Sequence, residues 1–549
     1  MDSLTLKADK EKQSGGDRRL GEGGRQATGM VLLGGLLLAL ASPPGVFPWA
    51  GLLVFPGLGF LFSGLQKRVS LLPMYAAGFL FFAWIAWSLR FVSFPGYLAI
   101  PLLGGWYFVL LALAFRAWAG HLFPRPLLFG FLWMGMEYVR GHAPGIPYPL
   151  AQVSHSLAEF PWFRSFATFG GEAGLGGVLA LCAALGVSVL WGRKRLLSVL
   201  ALSGLIGIFW GSWIFVEAAS HSAPQARVAL CQVPQPMYPD QPGFRKFQDL
   251  RQRIQALASF FQRHRKEWAG CDLLVFPESL FPFTLRLGKD EGVAQSLIQR
   301  LDPGVPLLIG AGVLGKGTLP DARFPPHYNC GLLFSPEGKI LGRVTKRWLV
   351  PLGETLPGMS LLSPKARDAV LGTLAGWFGP FVPSLVPGNR PGVLRLSGRG
   401  WPEDALPFLV AICFENAFPE AFHWDGTSPD FGVVLSNEAW YRGGATLDQM
   451  LALSRIRALE TRMPILRSTI DGWTAWIRED GSLGGSLPLG EEGVLVADLP
   501  LGKESGARFL LGLWLGPWLG RFGLGILLLG LFLQGVEARK GRRTRGAGA

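Results

Sequence analysis

Three short segments of this 549-residue chain carry side chains able to act on an acyl carbon: Phe276-Pro277-Glu278-Ser279, Val344-Thr345-Lys346-Arg347 and Ala411-Ile412-Cys413-Phe414-Glu415-Asn416. A free thiol has a pKa near ~8.5, so little of it is thiolate at neutral pH. Glu278 could take the proton of Cys413 as a thioester forms, and Lys346 could favour the thiolate and the developing oxyanion. Buried near each other, that carboxylate and ammonium would titrate as a coupled pair. Asn329, or a backbone N–H after Cys413, is a further candidate donor to the oxyanion. Taken singly, each segment has an ordinary explanation: a glutamate after proline is a solvated turn, a lysine in a basic stretch is surface, and a cysteine ending an apolar strand is a small core residue.

The elements around these segments supply the reason to take them together. Short β-rich runs recur at Arg227–Gln232, Asp272–Phe276, Pro306–Gly310, Asn329–Phe334, Phe408–Cys413, Phe431–Ser436, Pro464–Thr469 and Trp473–Ile477, with helical patterns at about 243–268 and 444–462. Alternation of this kind predicts an α/β domain, and the apolar run Leu273-Leu274-Val275-Phe276 predicts a sheet covered on both faces. Each of the three segments ends a predicted strand, where the sites of open α/β sheets form. Residues 356–407 are rich in Pro and Gly and read as a structureless lid or arm. Cys182, Cys231, Cys271 and Cys330 read as packing residues, and no Cys or His spacing argues for a metal.

The rest of the chain is written for a bilayer. It is 49% hydrophobic and 16% charged, with Gly 75, Trp 20 and Phe 39; soluble domains carry roughly 25% charge. Apolar segments at about 28–45, 46–65, 70–89, 97–118, 126–141, 173–191 and 196–216 predict a multi-pass bundle of seven helices, and an eighth lies at about 514–536. The fifth carries Glu137 and Arg140, expected to pair at the membrane edge. The net charge of +14 clusters in tails and short loops, so nucleic acid is not a needed partner. Every second connection is basic, which puts both termini in the cytoplasm and the α/β domain on the opposite face. Arg521, inside the last apolar run, reads as a snorkelling side chain. The expected division is a disordered tail 1–27, a membrane bundle 28–216, a catalytic domain 217–507 with the arm 356–407, a membrane helix 508–536 and a basic tail 537–549.

With those segments in hand, the sequence resembles the nitrilase (carbon–nitrogen hydrolase) superfamily, whose Glu-Lys-Cys triad occurs in this chain order. The run Lys346-Arg347-Trp348-Leu349-Val350-Pro351-Leu352-Gly353-Glu354 looks like its lysine block, which makes Lys346 the catalytic lysine and Glu354 a supporting glutamate. Over roughly 28–540 the chain is similar to the apolipoprotein N-acyltransferase family, which joins a membrane bundle to a nitrilase domain in this order. Glu137-Tyr138-Val139-Arg140, Gly145-Ile146-Pro147-Tyr148, Tyr328-Asn329, Asn437-Glu438-Ala439-Trp440 and Arg455–Glu460 carry that resemblance. Phe414 stands where the family frequently has Tyr, and Thr469-Ile470-Asp471-Gly472 replaces an Asn-containing turn.

The resemblance implies a multi-pass α-helical bundle plus an αββα sandwich. It implies a bacterial inner-membrane enzyme with a periplasmic catalytic domain, working as a monomer and without cofactor or metal. Cys413 would take an acyl chain from a phospholipid, phosphatidylethanolamine foremost, and pass it to the α-amino group of the diacylglyceryl-cysteine of an apolipoprotein. Glu415 either steadies the nucleophile turn or the amine, or caps the following helix. Trp440 either lines the acyl channel or packs, and Phe414 is grouped with it at the substrate. Two alternatives stay open: a membrane-anchored amidase acting on a small amide, and a non-enzymatic membrane scaffold.

Overall fold

The computed structural model describes residues 23–546 except 44–46, 48, 119–122, 219–223, 316–326, 379–383, 399–400, 427 and 501–509. Apolar sequence without interruption folds first into helices α1 (Gly23–Ala41), α2 (Val54–Gln66), α3 (Leu71–Ile85), α4 (Phe94–Ala117), α5 (Arg125–His142), α6 (Ala167–Trp191) and α7 (Arg195–Ala218). Of these, α1, α4, α6 and α7 are long and apolar enough to cross a membrane, as is the C-terminal helix over Leu511–Val536. α1 begins at Gly23, inside the expected 1–27 tail, because the polar residues there continue the helix; residues 1–22 lie outside the described residues.

Alternation takes over in the second half. Sheet I has the order β12-β1-β2-β3-β4-β5 and sheet II the order β11-β10-β9-β8-β7-β6. The strands are β1 (Pro224–Gln232), β2 (Leu273–Val275), β3 (Leu307–Leu314), β4 (His327–Phe334), β5 (Ile340–Thr345), β6 (Val393–Gly398), β7 (Trp401–Ile412), β8 (Phe431–Asn437), β9 (Ile465–Ile470), β10 (Ala475–Ile477), β11 (Leu483–Ser486) and β12 (Gly493–Pro500). Val228 and Leu230 of β1 meet Phe408, Val410 and Ile412 of β7 in a core between the sheets. Their neighbours Ala229 and Cys231 face the other way, under α8 (Leu250–His264) and α9 (Glu291–Leu301). On the far side, α11 (Thr446–Thr461) covers Leu409, Ala411 and Val434 of sheet II. The period of two thus builds an αββα sandwich.

The stretch 356–407 differs from expectation. It holds the helix α10 (Pro364–Phe378) and the strand β6, which pairs antiparallel with β7. Proline opens a helix well at its first position, so composition alone mistook helix-opening and edge-strand residues for a loop.

The last helix, α12 (Leu511–Gly546), returns from the sandwich to the bundle. Its helix continues through the basic segment expected as a tail. Gly512, Gly516 and Gly520 recur at intervals of four, the spacing that lets membrane helices approach closely. A Cβ at Gly512 would lie 2.0 Å from Ala167 O, and one at Gly523 would lie 2.6 Å from Gly135 N. Backbone therefore meets backbone where α12 crosses α5 and α6. Arg521 donates to the Tyr138 hydroxyl at 3.1 Å and stands over Trp518.

Sandwich and bundle meet across α11. Every residue of this helix except Asp448 is buried, since sheet II lies on one side and Ile456 and Leu459 join the bundle core on the other. Its charges find partners there: Arg455 pairs with Glu159, and Arg457 with Glu172 and Glu460. Glu137 and Arg140, 3.9 Å apart, also bond the loop after α5. Glu137 accepts from Val153 N at 2.8 Å, and Arg140 donates to Leu150 O at 2.6 Å.

Candidate active site

Glu278, Lys346 and Cys413 each follow a strand, β2, β5 and β7 respectively, and the sandwich brings those ends together. Lys346 Nζ stands 3.2 Å from Glu278 Oε1 and 2.7 Å from Glu354 Oε1. The lysine is fully buried and Glu278 nearly so. Burial works against the ammonium, yet the two carboxylates outweigh it and hold Lys346 well above its ordinary range. The expected supporting role of Glu354 therefore has a geometry. Val350 N also donates to its Oε2 at 2.8 Å, closing the loop that carries it.

Cys413 adopts φ +54°, a left-handed conformation that a non-glycine residue keeps only when its surroundings enforce it. The enforcing group is Glu415. One of its oxygens accepts from Ile412 N at 2.8 Å, and the other from Arg347 N at 2.6 Å. Glu415 thus ties the Cys413 turn to the lysine loop, and its bond to Ile412 N also caps the helical turn that follows. Burial pushes the Cys413 thiol far up, and Glu278 pushes it further, while Lys346 draws it down. The balance favours the neutral thiol over the thiolate.

Asn329 Nδ2 donates to Glu278 Oε1 at 2.6 Å, so one of its two amide hydrogens orients that carboxylate. The cause is register: Lys346 N donates to Asn329 O at 2.9 Å, which sets both side chains on the same carboxylate. Phe414 is buried in the cluster of Leu150, Phe418 and Phe422, and packs edge-on against Phe418. Trp440 is partly exposed, edge-on to Tyr238 at 6.3 Å, and its carbonyl accepts from the Tyr238 hydroxyl at 2.6 Å.

Two groups escaped the sequence. Asn437 N donates to Glu278 Oε2 at 2.7 Å; a backbone donor leaves no mark on residue type. Ser436 follows Leu435, which pairs with Ile412 across β7 and β8. Its buried hydroxyl has no partner at ordinary bonding distance, and it draws the Cys413 thiol downward. A polar residue ending the apolar strand β8 was the available signal.

Two family profiles cover this architecture. Residues 227–509, just over half of the chain, match the carbon-nitrogen hydrolase family, and residues 34–185 match the apolipoprotein N-acyltransferase N-terminal domain. The chain belongs to the carbon-nitrogen hydrolase family. An apolipoprotein N-acyltransferase from Caulobacter vibrioides is 29% identical over 84% of this chain and 87% of its own length. Another, from Methylococcus capsulatus, is 28% identical over 72% of each. These relatives do not favour the amidase or scaffold alternatives. A solved amidase from Nesterenkonia sp. is 18% identical, with a TM-score of 0.33 over 51% of this chain and 92% of that chain, a likeness too slight to bear on the site.

Proposed function

We propose that this chain is an acyltransferase that moves an acyl chain from a membrane phospholipid through a Cys413 thioester to the α-amino group of an apolipoprotein. The observation that carries the reading is a buried thiol with a base and a cation, in a domain whose helix α11 rests on the membrane bundle.

Charge decides how the first half-reaction runs. With the thiol neutral, Glu278, Glu354 and Lys346 sum to one negative charge. A free thiolate would add a second to a buried space. The proton therefore passes to Glu278 while sulfur attacks the ester carbonyl. The C–S bond forms, the ester C–O bond breaks, and Glu278 returns the proton to the departing lysophospholipid oxygen. The Lys346 ammonium faces the developing oxyanion.

In the second half-reaction the amine attacks the thioester. The N–C bond forms, the C–S bond breaks, and Glu278 relays the amine proton to the sulfur. The enzyme returns to its starting state, which is a ping-pong cycle. Phosphatidylethanolamine is the proposed donor. The proposed setting is a bacterial inner membrane, with the sandwich on the periplasmic face, both termini cytoplasmic and a monomer as the working unit.

Intact mass spectrometry of the full chain incubated with phosphatidylethanolamine, wild type beside Cys413→Ala, tests the reading. An acyl-sized mass gain on the wild type alone is expected. An equal gain on both, or full transfer activity in Cys413→Ala, would sink it.

A further inference from the structure

A cationic cluster that the triad does not use stands where bundle and sandwich meet. After α3 the chain makes a tight turn over Trp87–Phe91, and this turn docks beside the residues that follow β8. Ser88 Oγ and Thr446 Oγ1 lie 2.6 Å apart, and Gln449 donates to Ile85 O at 3.2 Å. Within the dock, the Arg90 guanidinium lies 3.6 Å from the Trp87 ring centre and 4.5 Å from that of Phe91. The Arg442 guanidinium lies 5.2 Å from the same Phe91 ring and 4.0 Å from Tyr238. One aromatic ring thus carries two guanidinium groups.

Their partners are unequal. Arg442 is held by Asp240 through bonds of 2.6 and 2.8 Å. Arg90 forms no ion pair among the described residues, and its Nη1 is buried without a hydrogen bond. A buried charged donor without an acceptor is costly, and stacking on Trp87 offsets only part of that. A snorkelling arginine would keep its head in water; this one, half-buried, lays its guanidinium against Trp87 and Phe91. Two cations and one carboxylate leave the cluster with one positive charge.

The location supplies an anion to match. Trp87 is 54% and Phe94 59% exposed, as aromatics at a lipid boundary are. On the other side, Tyr441, next to Arg442, is buried where Cys413, Lys346 and Glu278 all act on its hydroxyl. The cluster therefore lies between the lipid boundary and the triad. Guanidinium groups suit phosphate because their planar N–H edges match its oxygens.

We propose that Arg90 and Arg442 seat the phosphodiester of the phospholipid donor, with the exposed Asp240 carboxylate facing a cationic head group such as ethanolamine. This rests on the phospholipid-donor reading above.

The test measures initial rates of Cys413 acylation on the full chain in detergent, with dipalmitoyl phosphatidylethanolamine and with dipalmitoylglycerol, which has the same esters and no phosphate. Arg90→Gln should lower the ratio of the two rates about tenfold, the worth of one charged hydrogen bond. Arg90→Lys should restore most of it. An unchanged ratio in Arg90→Gln, while the wild type is acylated by phosphatidylethanolamine, overturns the seat alone. No acylation of the wild type by any phospholipid, with p-nitrophenyl palmitate still acylating it, removes the donor reading and the seat together. Competition by millimolar inorganic phosphate as strong as by lipid would overturn it in favour of a free-anion site.

Discussion

The backbone N–H of Glu172, in the membrane helix α6, donates to Oε1 of Glu460, in the catalytic-domain helix α11, at 2.6 Å. That amide is available because Gly171, at φ +62° and ψ −174°, breaks the helix there. A kinked membrane helix leaves a polar backbone group that must be satisfied, and here the satisfying oxygen comes from the other half of the molecule.

Burial pushes the Glu460 carboxyl up to about 8, with Glu172 adding to the rise and Arg457 opposing it. The folded protein thus holds this proton more tightly than the unfolded chain. The resulting contribution to stability is complete below the unfolded value, near 4.5, and is lost as pH rises toward 8. Glu460→Gln keeps the acceptor and removes the titration. Thermal unfolding in detergent should show the wild type losing stability more steeply than the variant over that window; parallel curves would mean the carboxylate is ionised throughout.

Lys346→Met should slow acylation by about 10²–10³-fold or more, the cost of losing one charge stabiliser at a developing oxyanion. The same variant should show iodoacetamide labelling of Cys413 displaced to higher pH, because Lys346 is the cation that lowers the thiol. In the wild type, labelling should keep rising into the alkaline range. A labelling plateau near neutral pH would contradict a resting protonated thiol.

Ser436→Ala separates a working hydroxyl from an idle one. If the hydroxyl serves only the thiol, acylation should fall about tenfold, as for one hydrogen bond of roughly 1–1.5 kcal/mol, and the pH profile should move up. The melting temperature should change little, because the hydroxyl makes no bond of ordinary length within the fold. A lower melting temperature with an unmoved pH profile would make the serine a packing residue.

Glycines on α12 offer a controlled pair. Gly523→Leu must push against Gly135 and should destabilise by about 1–3 kcal/mol or more, as overpacking does. A Cβ at Gly525 meets nothing within 4 Å, so Gly525→Leu should be silent. Thermal unfolding of both variants in detergent distinguishes them, and equal effects would contradict the packing described.

Much of the site was legible in sequence because its chemistry sits at strand ends in chain order: Glu278, Lys346 and Cys413 could be named without coordinates. The alternating core was legible for the same reason, since Val228 and Ala229 differ by one pleat. Short edge strands were not. β11 contains two glycines, and β12 pairs with β1, a neighbour distant in sequence. The bond from Asn329 to Glu278 was not legible, because nothing local reveals that Lys346 shares the same carboxylate. The charges of α11 look like a solvated face; Glu159 and Glu172, which neutralise them, lie nearly 300 residues earlier, at separations of 296 and 285.

The glycine-lined seat of α12 has a consequence for biogenesis. The helix that packs between α5 and α6 follows the whole sandwich in the chain. Until it arrives, α5 and α6 present bare backbone where it will lie, and the whole sandwich has already been made. The bundle therefore cannot be completed ahead of the sandwich: a chain stopped within the sandwich leaves α5 and α6 without the helix that packs between them.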